Sequence, residues 1–385
     1  MQGYDIAIIG GGIMGAAAAC EMARKGARVA LIDQARLPNP RGASVDHSKI
    51  FRFAYPDALY ARLAADALKL WQEAERETET PLMTRTGLLL IGSRRAQPDS
   101  QDAMGYYNAL RSVGLAAEMM TGDQVARLFP QFNRDAIAYG VLDPSGAILH
   151  AERAVTALID LARSRGASVI ENLRVVEIKN RDGVIRLAVE AGEFIECDRA
   201  MIASGPWTRK LLPEIDGLLT TTRQEVFYFE PEQAHISNTA PGFGVGDFPL
   251  FFATDTGFYG FPIHHAGAMK IANHEKGRPV DPDRVTESVS LEAINECRAF
   301  FAEFIPKLAD ARIKETRVCV YNNTPDDDFI IDWHPQIENV LIVTGFSGHG
   351  FKFGPVIGRI AAELLLSGSA SYNIDRFRLA RFEQR

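Results

Sequence analysis

From Tyr4 to Asp33 the chain reads YDIAIIGGGIMGAAAACEMARKGARVALID. Tyr4 to Ile9 is a short apolar run closing on glycine, the pattern of a buried parallel strand. Gly10, Gly12 and Gly15 follow in G-x-G-x-x-G spacing, with Gly11 as an extra. Ile13 to Lys25 reads as a helix stopped by Gly26, and Arg28 to Ile32 as a second buried strand ending at Asp33. In such a unit the glycines allow a tight turn, close approach of backbone to a pyrophosphate, and close helix–strand contact. The helix N-terminus presents free N–H groups and partial positive charge to the phosphates. Asp33 stands where a carboxylate takes ribose hydroxyls. The complete strand–turn–helix–strand–acid unit predicts a dinucleotide.

At 385 residues the chain is long enough for two domains, and its 46% hydrophobic and 24% charged residues are ordinary for a globular protein. A formal net charge of -7 and the lack of a clustered basic face argue against a nucleic-acid partner. No apolar run approaches the roughly 20 residues of a membrane span, so no membrane partner is expected. The four cysteines, Cys20, Cys197, Cys297 and Cys319, are far apart and form no C-x-x-C pair. That fits a reducing compartment, and a cytoplasmic location is expected.

Beyond Asp33, residues Gln34 to Ser44 are a Pro/Gly-rich loop leading into DHSKIFR, Asp46 to Arg52. Ala58 to Glu79 is an amphipathic helix with Leu59, Leu63, Ala67, Leu70 and Trp71 on one stripe. Thr86 to Ile91 reads as a strand, and the region to residue 145 as mixed and polar. Glu152 to Arg165 is a helix. Short strands follow at 168–170, 174–178, 184–189, 193–196 and 200–203. Thr220 to Glu230 and Phe258 to His274 alternate in the strand manner and suggest the sheet of a separate domain. Leu291 to Phe304 and Pro355 to Leu366 are helices. His264 and His265 form an adjacent pair with no carboxylate or cysteine at ligand spacing, and no metal is expected.

Residues 317–368, RVCVYNNTPDDDFIIDWHPQIENVLIVTGFSGHGFKFGPVIGRIAAELLLSG, together with residues 4–33 and 44–55, closely resemble the monomeric sarcosine oxidase and N-methyltryptophan oxidase family of flavoproteins. The resemblance implies an α+β fold: a glutathione-reductase-like FAD-binding Rossmann domain plus an antiparallel-sheet substrate domain. The expected division is 1–85, 146–215 and 315–385 for FAD, and 86–145 and 216–314 for substrate. It implies a monomer holding FAD covalently through Cys319. Contacts to the cofactor are expected from Gly10, Gly12, Gly15, Asp33, Ser44, Gly348, His349, Gly350 and Lys352. Arg52 and Lys352 match a carboxylate-binding pair, a planar fork beside a point charge. Lys270 matches an oxygen-activating lysine, although its pattern alone reads as an outward lysine on a half-buried strand. His274, Tyr259 and Tyr321 match substrate-side residues, and His274 shares Lys270's face at strand period.

The implied reaction is oxidation of a secondary-amine amino acid. Hydride leaves the carbon next to nitrogen, the imine hydrolyses, and oxygen becomes hydrogen peroxide. Two features depart from the family's pattern. Lys49 replaces an arginine, so that Asp46-x-x-Lys49 resembles the fructosyl-amino-acid and the saccharopine or pipecolate oxidases. Pro241 to Phe258, PGFGVGDFPLFFATDTGF, reads as a longer pocket rim. Both point to a substrate bulkier than sarcosine. A dehydrogenase passing electrons to an acceptor other than oxygen, or a flavin-binding protein without turnover, are the alternatives.

Overall fold

A computed structural model describes residues 3–55, 57–95, 101–232 and 242–383. Strand β1 (Tyr4–Ile9), helix α1 (Ile13–Arg24) and strand β2 (Val29–Ile32) form the expected N-terminal unit. β1 pairs in parallel with β2 on one side and with Phe194–Ile202 on the other. Ser168–Ile170 extends the sheet beyond β2, and Val340–Thr344 pairs in parallel with Phe194–Ile202. The separate short strands expected at 193–196 and 200–203 are one strand. Helices α1, α2 (Ala58–Thr78), Ala151–Ser164 and Gly354–Ser367 contribute to the main apolar core, which explains the alanine-rich face of α1.

A second eight-stranded sheet runs from Arg312–Asn323 through Thr220–Glu230, the two 258–273 strands, Leu250–Ala253, Leu88–Ser93 and Ile137–Asp143 to Glu118–Thr121. Phe258–His274 is not one strand but a hairpin, Phe258–His265 and Ala268–Asn273, turned at Ala266–Gly267. Arg312–Asn323 pairs along its length with Thr220–Glu230. The third segment of the first unit therefore starts after Asn323, not at 315. Helix Leu291–Phe304 covers the far face of this sheet through Phe300, Phe301 and Phe304. A small three-stranded sheet, β3 (Lys49–Phe51) with 147–149 and 83–85, lies beside them.

The stretch read as a pocket rim does something else. Phe243, Phe248 and Phe251 are buried with Phe132 and Phe300 in the second core. Phe252 faces the small cavity described below, and Pro241 lies outside the described residues. The phenylalanines of this stretch are mostly core, not a wall over the substrate.

Candidate active site

Two cavities adjoin at Lys49, Tyr321, Gly348 and Phe351. The larger, about 260 Å³, runs past Gly10–Gly12, Asp33, Ser44, Gly205, Asn322 and Ser347. The smaller, about 70 Å³, is lined by Lys49, Arg52, Lys270, His274, Cys319 and Lys352 among others.

The N-terminus of α1 opens on the larger cavity. Gly10 has φ +106°, and a Cβ on Gly15 would sit 1.9 Å from the Gly10 carbonyl oxygen, so the turn admits no side chain at either place. Ser44 Oγ accepts from Ile13 N at 2.9 Å and caps the helix from outside the unit. Asp33 lines the cavity but its oxygens already accept from Gly11 N at 2.8 Å, Ala35 N at 3.0 Å and Asn39 Nδ2 at 3.0 Å. Its first task is to brace the glycine turn. Burial raises its carboxyl pKa, and these bonds work against that. Asn322 Oδ1 is buried in the lining and has no hydrogen-bond partner among the described residues. A helix N-terminus, a side-chain-free turn and an unsatisfied acceptor in one elongated lining fit a dinucleotide such as FAD.

The smaller cavity is strongly cationic. Lys270 sits on Ala268–Asn273 directly opposite Tyr228 on one neighbouring strand and Phe261 on the other. Met269 and Ile271 point to the second core, and Lys270 to the opposite face, where it is also buried, at 1% exposure. It is not an outward lysine. Its Nζ donates to Asp46 Oδ2 at 2.5 Å and to the Ser48 carbonyl at 2.7 Å. Tyr228 donates to Asp46 Oδ1 at 2.6 Å, and Lys49 Nζ lies 3.8 Å from Oδ2. Burial alone would raise Asp46; the ammoniums of Lys270 and Lys49 outweigh it and hold the carboxyl well below its ordinary range. Cys319 is buried in the same lining, its Sγ 3.8 Å from the Val45 carbonyl.

Arg52 stacks on Tyr55 and Phe252, its guanidinium carbon 4.6 and 5.0 Å from the ring centres. Among the described residues its buried Nη1 has no hydrogen-bond partner. Lys352 is buried and donates to Tyr55 Oη at 2.7 Å and to the His349 carbonyl at 2.5 Å. Among the described residues neither Arg52 nor Lys352 has a carboxylate within salt-bridge reach. Burial, and then Arg52, pulls the Lys352 pKa well below its ordinary value. His349 Nε2 faces the Asp327 carbonyl at 3.0 Å, so it carries the proton, leaving Nδ1 to accept from Tyr55 at 3.2 Å. Tyr55 thus relays Lys352 to His349; the sequence reading missed it, although it stands three residues after Arg52. Burial, with Arg52 and Lys352 adding to it, drops His274 to about 3, and it lies 3.4 Å from the Tyr321 hydroxyl. Tyr259 and Tyr321 line the same cavity.

The adjacent histidines part company. His264 Nδ1 bonds the Pro262 carbonyl at 2.7 Å, whereas His265 stacks on His47 at 3.5 Å. His47 Nε2 lies 3.1 Å from Glu315, which Arg317 pairs at 2.6 Å. The fold thus brings to His265 a carboxylate that sequence spacing does not show, and Arg317 already balances its charge.

The family profile described as DAO, FAD dependent oxidoreductase, matches residues 5–364. A monomeric sarcosine oxidase of Bacillus sp. is 30% identical over 385 residues, covering 98% of this chain and 96% of that protein. The human peroxisomal sarcosine oxidase is 32% identical over 391 residues, with 98% and 96% covered. Among solved structures, the L-proline dehydrogenase of P. horikoshii superposes with a TM-score of 0.85 at 20% identity, covering 99% of this chain and 98% of that one, which supports the fold. The glycine turn, the elongated cavity and a match over nearly the whole length agree: the chain belongs to the FAD dependent oxidoreductase family.

Proposed function

We propose that the protein oxidises a small N-alkyl amino acid to an imine that hydrolyses, with oxygen reduced to hydrogen peroxide. The observation that carries this reading is the pair Arg52, half-buried with its Nη1 atom buried, and Lys352, fully buried, which among the described residues have no acid partner, at the edge of a cavity of about 70 Å³. A substrate carboxylate satisfies the free Nη1 of Arg52 and restores a counter-ion to Lys352. So small a space suits a small N-substituent better than a large one. The aromatic stretch once read as a rim packs largely into the core, so it does not favour a bulky N-substituent.

FAD bound there would supply the acceptor for the hydride from the carbon next to nitrogen and the electrons that reduce oxygen. Gly10, Gly12 and Gly15 at the α1 turn, Asp33, Ser44, and Gly348, His349, Gly350 and Lys352 in the C-terminal loop are assigned to hold it. Cys319 is the thiol assigned to its covalent attachment. Four cations and one acid line the small cavity. That excess of positive charge disfavours an ammonium and favours the free amine needed for hydride loss. His274, neutral at physiological pH, serves as a hydrogen-bonding wall with Tyr321 and Tyr259. Lys270 and Lys49 supply positive charge where oxygen gains electrons.

The test is a panel read by peroxide release: sarcosine, larger N-methyl amino acids, pipecolate, saccharopine and a fructosyl amino acid. Sarcosine or another small N-alkyl amino acid should have the highest kcat/KM. A fructosyl or saccharopine substrate ahead by ~10-fold, about 1.4 kcal/mol, would overturn the size assignment. Equal turnover of an N-methyl amine lacking the carboxylate would overturn the roles of Arg52 and Lys352.

A further inference from the structure

The ion pair between Asp46 and Lys270 is the most deeply buried one among the described residues, with both side chains 1% exposed. Its partners come from separate parts of the chain. Asp46 and the Ser48 carbonyl approach from the segment entering β3, Lys49 from β3 itself, and Tyr228 from the strand opposite. Phe261, on the other neighbouring strand, lays its ring 4.6 Å from Nζ. The other titratable and charged groups around the pair are Arg317, Cys319 and Tyr321 on Arg312–Asn323, Tyr259, His264 and His265 on Phe258–His265, and His47 next to Asp46 itself. Asp46 is the one acid among them that touches Lys270. Lys49 stands farther from it, at 3.8 Å and 18% side-chain exposure.

A buried ammonium without a counter-ion gives up its proton, because the low-dielectric surroundings penalise the charge. Here the neighbouring Lys49 adds to that penalty. Asp46 supplies the opposing charge, and two hydrogen bonds, to Asp46 and to Ser48 O, fix where the ammonium points. Tyr228, donating to the other carboxylate oxygen, keeps Asp46 from rotating toward Lys49.

We infer that Asp46 is a positioning residue that keeps Lys270 charged and clamped at the small cavity, so that reaction with oxygen depends on the Asp46–Tyr228 clamp as well as on the lysine. This rests on the assignment of Lys270 to oxygen reduction made above. Without Asp46, Lys270 remains buried beside Lys49 and loses its proton within the working pH range. The charge that meets electrons arriving on oxygen then disappears as pH rises.

The experiment follows reoxidation of the substrate-reduced enzyme by oxygen, by stopped-flow absorbance, from about pH 6 to 9.5. Wild type should vary less than about two-fold, and Lys270→Met should be slow at every pH. Asp46→Asn should fall by ~10-fold or more as pH rises through the range, which corresponds to protonated and neutral lysine interchanging. A flat Asp46→Asn profile, at any level, overturns the inference. Thermal unfolding supplies a readout independent of turnover. The Tm losses of Asp46→Asn and Lys270→Met should each exceed that of the double variant, since removing one partner strands the other charge. Losses that simply add would equally overturn it. If Asp46→Asn does not fold, Tyr228→Phe takes its place; it should tilt the reoxidation profile in the same direction by a smaller factor, and a flat profile counts against the clamp. Should Lys270→Met reoxidise at the wild-type rate, the oxygen role of Lys270 fails, while the thermal cycle still reports on the pair.

Discussion

Lys352 carries its charge at a cost, because it is buried next to Arg52 with only the Tyr55 hydroxyl and a carbonyl as partners. A carboxylate ligand reverses that balance by favouring the ammonium. Binding of a simple carboxylate lacking an amine, such as propionate, should therefore take up protons at any pH where the free lysine has begun to lose its own, and affinity should weaken as pH rises. Calorimetry in two buffers of different ionisation enthalpy measures this directly; proton release instead of uptake would contradict it. Lys352→Met should raise KM by about 10- to 100-fold, the value of one charge-assisted bond of ~1.5–3 kcal/mol. His274, at about 3, stays neutral between about pH 5 and 9, so His274→Gln should leave the shape of the kcat/KM profile unchanged even where it lowers its height. Arg52 and Lys352 were visible in the sequence through resemblance, as was Lys270. Their states were not, because each depends on what the fold buries beside it: Tyr55 and His349 for Lys352, Asp46 for Lys270.

The elements were legible where one period ran cleanly between breakers. β1, α1 and β2 fall within a residue or two of the reading, because glycines punctuate β1 and α1 at both ends and β2 at its start. The 258–273 hairpin was read as one stretch because apolar residues recur on both sides of its Ala266–Gly267 turn. The Phe-rich stretch before it was misplaced for a related reason: aromatic residues between turn signals do not say which of two cores receives them. Packing of helix Gly354–Ser367 on α1 was also beyond sequence, and it depends on small residues at the contact, Gly354 against Ile13 and Gly358 against Ala17. A Cβ at Gly358 would lie 2.7 Å from the Ala17 carbonyl carbon and 2.8 Å from its Cβ. Gly358→Ala should force the two helices apart and cost about 1–3 kcal/mol. The urea midpoint should fall with little change in slope. An unchanged midpoint would mean the helices have room that their contact does not show.

Across the whole molecule, the larger cavity is closed by segments that are remote in the chain: the α1 turn, the loop at 42–45, the 203–207 segment, Val320–Asn322 and the loop at 345–351. Asp46 and Lys270 are 224 positions apart, and His47 and Glu315 are 268 apart. No periodicity in the sequence announces such pairings, since they follow from how the sheets and helices stack. A cofactor that touches all these segments binds the folded chain and not the unfolded one, so it stabilises the fold by mass action. A covalent bond through Cys319 removes that concentration dependence, because the cofactor then stays with the chain in both states. Acid-denatured wild-type protein should accordingly keep its yellow colour in the pellet, and its Tm should not respond to added FAD. Cys319→Ala should release the colour, and its stability should rise with free FAD by about 1.4 kcal/mol for each tenfold increase above Kd. Colour lost to the supernatant from the wild type, together with a Tm that climbs with FAD, would show that the buried Cys319 thiol packs against Val45 and holds no flavin.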